Sequence, residues 1–315
     1  MPADIAMDSD ERVKDEGFFA RLMKRPELGA IAGLVLVTTF FLITADHSMF
    51  TLSGILNFLS PAAQLGILGI AAAMLMIGGE FDLSIGSMVA FAGMVFGALT
   101  VNAGLPLIVA IPLTMLVAAL IGAVNGNIVL RTGLPSFIVT LASGMIDRFK
   151  SGLPKVPGIP VEILWFIFIA LAATWVLLRT PAGNWIFASG GDKNAAANSG
   201  VPVRNVKIAL FMFTAVAAAL VAVVTVLDAG STDARRGFQK EFEAIIAAVI
   251  GGALLTGGYG SAIGAFFGSI IFGMVVIGLT YTDFDQDWFQ VFLGAMLLLA
   301  VVFNNAIRKR VTGER

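Results

Sequence analysis

The chain has 315 residues, of which 58% are hydrophobic and 13% charged, and its net charge is −1. Soluble domains carry about 25% charged residues, so this balance, with a mean hydropathy of +0.92, describes an integral membrane protein with no basic excess for nucleic acid. It has no cysteine and a single histidine, His47. That excludes disulfides, thiolate nucleophiles, Cys-based zinc, histidine metal clusters and a Ser-His-Asp triad, and no cofactor is expected.

Residues 1–27 are polar and mixed in charge, without the apolar core and small-residue cleavage site of a signal peptide. They read as a cytoplasmic tail leading into a single transmembrane domain, 28–307, which a short tail, 308–315, follows. A span needs about 20 apolar residues to cross a core of about 30 Å. Ten segments qualify: 28–46, 60–78, 84–103, 106–125, 134–147, 162–179, 206–228, 241–256, 260–281 and 288–307. The fifth and eighth are short, so the expectation is an all-α, polytopic protein of eight to ten transmembrane helices, some short or Gly-broken. With the N-terminus inside, the outer segments hold Arg148, Lys150, Lys155, Arg235, Arg236 and Lys240. The other fourteen of the twenty Lys and Arg fall inside, as the positive-inside rule requires. Both termini and 180–205 are then cytoplasmic, while 229–240 and 281–287 face outward.

Two stretches are rich in glycine. "IGGEFDLSIGS" (77–87) and "IGGALLTGGYGS" (250–261) both begin Ile-Gly-Gly and end Gly-Ser, and further small residues follow each: Gly93 and Gly97, then Gly264 and Gly268. Gly-interrupted segments in corresponding places suggest an internal repeat with broken helices near a transport path. Small-xxx-small packing between helices accounts for glycines equally well.

The first stretch also carries two acids. At the bilayer centre a charge costs about 2.5–3.5 kcal/mol on the insertion scale, so Glu80 and Asp82 belong either at a surface or in a polar cavity. Asp82 or Ser84 is placed to cap the helix that runs on from Ile85, with Gly78 and Gly79 allowing a tight reversal before it. The other reading makes the segment a re-entrant lining of a solute pathway, with Glu80 facing it.

"GGEFDLSIGSMVAFAG" (78–93) resembles the Gly-Gly-x-Asp-Leu-Ser-x-Gly-Ser signature of permease subunits in bacterial ABC importers for ribose, xylose and related sugars. The resemblance continues through "GAVNGNIVLRTGLPSFIVTLASGM" (122–145), "ASGGDKNAAANSGVPV" (188–203) and "GFQKEFEAIIAAVIGGALLTGGYGSAIGAFFG" (237–268). Three departures stand out. Ser136 replaces a second proline, Asn194 replaces a glutamate, and only 146–158 joins two spans that the family separates by a longer outward stretch. The resemblance implies an inner-membrane permease that binds no ATP itself. Its expected partners are an ABC ATPase subunit, a periplasmic solute-binding protein, membrane lipid and a second copy in a homodimer, and its cargo is a sugar or polyol.

Within 180–205, Asn194-Ala195-Ala196 followed after three residues by Gly200 has the spacing of the Glu-Ala-Ala-x-x-x-Gly loop by which such permeases dock on their ATPase. Asp192 opens the segment. Small alanines let a short helix seat in a partner's cleft, Gly200 suits a left-handed cap, and Pro202 stops the helix. On the outer side, Arg235, Arg236 and Lys240 read either as solvated charge or as a docking surface for the binding protein, with Asp283, Asp285 and Asp287 offering acids to its basic groups. No Gly-x-x-x-x-Gly-Lys-Ser/Thr occurs in the chain, so ATP hydrolysis belongs on a separate subunit. A proton- or sodium-coupled carrier using Glu80 or Asp82 remains the alternative. An intramembrane enzyme lacks convergent catalytic groups.

Overall fold

A computed structural model describes Arg25, residues 27–132 and 160–283, and the isolated positions Val291, Gly294, Ala295 and Leu298. Among these residues the structure is helical, without strands. The helices are α1 (Glu27–Thr44), α2 (Leu52–Ile77), α3 (Ile85–Gly97), α4 (Leu107–Thr132), α5 (Val161–Arg179), α6 (Pro181–Gly191), α7 (Lys193–Asn198), α8 (Val203–Ala229), α9 (Lys240–Ile250) and α10 (Ala262–Gly278). Short turns extend two of them, a π turn over Ala98–Asn102 and a 3-10 turn over Leu279–Tyr281.

Seven of these helices are long and apolar enough to cross a membrane: α1, α2, α3 with its π turn, α4, α5, α8 and α10 with its 3-10 turn. The expected spans 134–147 and 288–307 lie outside the described residues, apart from the isolated positions. The expected span 241–256 is the short α9, whose 11 residues rise only about 16 Å. Boundaries shifted where local chemistry outweighs hydropathy. The Thr51 side chain accepts from Gly54 N–H and starts α2 at Leu52, eight residues before the apolar run suggests.

Helix α2 is the hub, buried over most of its length. Its glycines let neighbours close in, as membrane helices without a hydrophobic driving force require. The Phe166 ring of α5 lies over Gly66 and stacks on Phe266 of α10 at 4.4 Å. Gly273 of α10 packs on Phe58 and Ala62 of α2, and Gly122 and Gly126 of α4 pack on Phe211, Ala215 and Ile208 of α8. The outer faces of α4 and α5 expose Ile108, Leu116 and Leu120, and Phe168, Leu171 and Trp175. Such broad apolar surface suits lipid and would not suit water.

Candidate functional site

The two Ile-Gly-Gly stretches fold alike. At the end of α2, Gly78 N–H donates to Met74 C=O, Gly79 to Met76 and Glu80 to Leu75; at the end of α9, Gly251 donates to Ala247, Gly252 to Val249 and Ala253 to Ala248. Both patterns run i−4, i−3, i−5, the closing of a helix through a left-handed residue. That residue is Gly79 at φ 80° and Gly252 at φ 92°, where a side chain would meet its own carbonyl.

Beyond Gly79 the chain is non-helical until Ile85 and runs beside α8. The Lys207 ammonium of α8 donates to Glu80 Oε1 at 2.7 Å. Seven residues further along α8, which is about 10 Å, Thr214 Oγ1 donates to Asp82 Oδ2 at 2.8 Å. Gly93 of α3 then lies against Ala222 and Val226 of the same helix. Asp82 Oδ1 accepts from both Ser84 N–H at 2.8 Å and Ser84 Oγ at 2.5 Å, and Asn125 of α4 donates to Ser84 Oγ at 3.2 Å. Asp82, Ser84, Asn125, Lys207 and Thr214 are all buried, while Glu80 keeps 16% of its side chain exposed. Buried polar side chains need partners within the protein, and these five find them in one another and in Glu80.

This geometry corrects part of the expected capping. Ser84 makes no side-chain cap to α3, and Asp82 bonds Ser84 itself, tying the start of α3 to α4 and α8. Lys207, Thr214 and Asn125 are the residues that sequence reasoning missed. Positive-inside bias alone seemed to explain Lys207. The available signal was a lysine placed directly at the start of the apolar run of α8.

At the foot of this segment the end of α2, the end of α6 and the turn at 257–258 meet backbone to backbone. Gly258 N–H donates to Ile77 C=O at 2.9 Å. A side chain on Gly190 would sit 1.8 Å from Ile77 O, and one on Gly257 would sit 2.7 Å from Gly190 O and 2.8 Å from Gly79 Cα. The segments 79–83, 180–205 and 257–259, which charge bias assigns to one side, thus share one end of the bundle. Helix α7 projects from that end. Asp192 Oδ1 caps it by accepting from Asn194 and Ala195 N–H, and these two bonds hold the Asp192 carboxyl below the usual aspartate range, the Ala195 bond most. The helix closes at Gly200, φ 82°. Asn194, Ala195 and Gly200 are exposed, but Ala196 is buried at 5% within its own chain. Ala196 is therefore a correction: it anchors α7 and presents no surface.

From the opposite end, the loop after α8 dips inward. Gly237 packs directly on Gly86, and the Glu241 carboxylate abuts the same glycine in the first turn of α3, where an acid suits a helix N-terminus. Gly86 lies between Asp82 and Gly93, hence near the middle of α8. Of the basic residues expected on an outer surface, Arg236 is folded back onto Thr225 O, Ser231 O and Ser231 Oγ, and Lys240 pairs with Glu243 at 2.6 Å. Arg235 is exposed, as is Asp283; Asp285 and Asp287 lie outside the described residues.

A bundle with broken helices that meet at mid-depth, and with a short capped helix projecting from one end, is the architecture of a polytopic permease. The family model described as branched-chain amino acid transport system / permease component matches residues 54–147 and 142–301, and the chain belongs to that family. The two matched pieces meet beside the connection that seemed short. The chain is 29% identical to the ribose import permease protein of Haemophilus influenzae over 87% of this chain and 91% of that one. It is 27% identical to the xylose transport system permease protein of Escherichia coli, covering 89% and 92%. To the autoinducer 2 import system permease protein of Photorhabdus laumondii it is 28% identical, covering 88% and 90%. No solved structure matches the chain.

Proposed function

We propose that the chain is the membrane-spanning subunit of an ATP-driven importer, moving a sugar or polyol across the bacterial inner membrane by alternating access. It works as a homodimer fed by a periplasmic solute-binding protein, and a separate ATPase subunit hydrolyses ATP. The family description names amino acids, but the relatives that cover nearly the whole chain are named for ribose, xylose and autoinducer 2, and polyhydroxylated solutes are the class they share most closely. In this reading the end bearing α7 is cytoplasmic, and both termini lie on that side.

One observation carries the mechanism: α6 and α7 are joined through Gly190 to the loop that bears Glu80 and Asp82. A partner that grips α7 can move that loop, because backbone atoms in direct contact leave no slack between them. Both acids are also engaged, Glu80 by Lys207 and Asp82 by Thr214 and Ser84. This favours the importer over a carrier that needs a carboxylate free to exchange protons or sodium.

The test replaces Ala195, exposed on α7, with tryptophan. Ala195→Trp is expected to leave the permease folded and inserted, within about 0.5 kcal/mol of the parent. It should lose the co-purifying ATPase and solute-stimulated hydrolysis. A variant that retains its full complement of ATPase and transports at the parental rate would remove α7 from the mechanism.

A further inference from the structure

Resting on the permease reading above, one surface has no role yet. Phe238 and Phe242, one helical turn apart across the start of α9, are 74% and 52% exposed. Between them Gln239 adopts φ 63°, the left-handed region, and among the described residues it is the one non-glycine there. Strained backbone of this kind clusters at ligand-contacting positions. Here it turns the chain from the Gly86–Gly237 contact into α9 and leaves both rings uncovered.

What could face these rings is limited by their neighbours. The Lys240 and Glu243 side chains, paired within the same turn, are 37% and 23% exposed, and Gln239 is exposed too. The adjoining Gly237 rests on Gly86 near the middle of α8, far from either end of a helix about 40 Å long. Hydrocarbon would not solvate an ammonium and a carboxylate at that depth, so lipid is a poor occupant. The buried centre of a protein interface is depleted of charge, so a second copy is a poor one as well. A water-filled path suits all five side chains, and mid-depth breaks between half-helices are where transporters hold their cargo.

We infer that Phe238, Gln239 and Phe242, with the Lys240–Glu243 pair, form a solute-contact surface of the translocation path for a neutral polyhydroxylated ring. The rings stack on the C–H face of the sugar, as aromatic faces do on partly positive edges. The Gln239 amide donates to and accepts from hydroxyls, and the ion pair bonds hydroxyls without needing a charged solute. Glu241, turned the other way onto Gly86, takes no part.

The chain has no native cysteine, so Phe238→Cys reports its surroundings cleanly. In proteoliposomes with the ATPase, Phe238→Cys is expected to react with a charged, membrane-impermeant thiol reagent, and ribose or xylose should slow that reaction. Phe238→Ala and Phe242→Ala are expected to raise the KM for transport about tenfold, with ATPase association and dimer mass unchanged. Phe238→Tyr should restore the parental value. Reaction with a lipid-soluble maleimide alone would assign the face to lipid and overturn the inference. Spontaneous Phe238→Cys cross-linking between copies, unaffected by sugar, would assign it to an interface and overturn it equally. If the unaltered chain fails to stimulate its ATPase with any solute, the permease reading falls, and this assignment with it. Failure at Phe238 alone leaves that reading standing.

Discussion

The reversals at 77–80 and 250–253 share a backbone and differ in what they carry. After Gly79 come Glu80, Asp82 and Ser84, each bonded to a neighbouring helix, and the chain does not resume a helix until Ile85. After Gly252 come Ala253 and two leucines, and a glycine turn returns the chain to Ile77 before α10 starts. The same hydrogen-bonded device therefore serves two ends. Polar side chains allow the first segment to run non-helical toward the middle of the bundle, because protein groups satisfy it there. The second carries no acid; its Ser261 Oγ donates to Glu27 of α1, and it stays at the end of the bundle, where its glycines fit against Gly79 and Gly190.

The sharpest way to break that contrast is to remove the ion pair that anchors the first segment. Glu80→Gln or Lys207→Met leaves one buried charge unpaired and is expected to lower stability by about 3–5 kcal/mol, read as thermal unfolding in detergent. The double variant should recover most of the loss. If the singles and the double unfold together at the parental temperature, the first reversal is no better anchored than the second.

A smaller effect separates the turns themselves. Gly79→Ala and Gly252→Ala each place a side chain at positive φ, costing about 1–2 kcal/mol. At Gly79 the added atom would also lie 3.1 Å from Gly190 Cα, so transport by that variant should be the more impaired. Equal uptake for the two variants would deny the first turn its contact with the α6–α7 segment.

The smallest effect lies just beyond that contact. The Asp192 carboxyl is held low by bonds from Ala195 and Asn194. Its capping is therefore complete above the ordinary aspartate range and is lost only as pH falls through the lower folded value. Backbone amide exchange in α7, corrected for intrinsic rate, should be flat from neutrality to about pH 5 and rise in more acid solution. Asp192→Asn should abolish that dependence, since asparagine caps nearly as well. Identical protection in acid and at neutrality would show that the cap does not hold α7.

Much of the site's backbone was legible in sequence. The repeated Ile-Gly-Gly marks both helix ends, since a left-handed closing residue all but demands glycine. Gly200 likewise ends α7 as its spacing suggested. Which side chains partner Glu80 and Asp82 was not legible. Lys207 stands 127 positions from Glu80 and Thr214 stands 132 from Asp82, and hydropathy does not register pairing across that separation. The burial of Ala196 was hidden for a similar reason: a six-residue helix has no periodicity long enough to reveal its inner face.

Composition by itself determined that the chain is helical and membrane-embedded, because a run of apolar residues in lipid must satisfy its own backbone. Residue type by itself located the breaks after α2 and α9, because their left-handed closing residues, Gly79 and Gly252, strongly favour glycine. Tertiary structure decided how deep those breaks reach. The loop at 231–239 carries enough charge to read as an outer surface, yet Gly237 rests on Gly86 near the middle of α8, with Arg236 folded back toward Thr225 and Lys240 paired to Glu243. Depth depends on which surfaces pack together, and two glycines without side chains can approach where the flanking charges alone would have kept the loop outside.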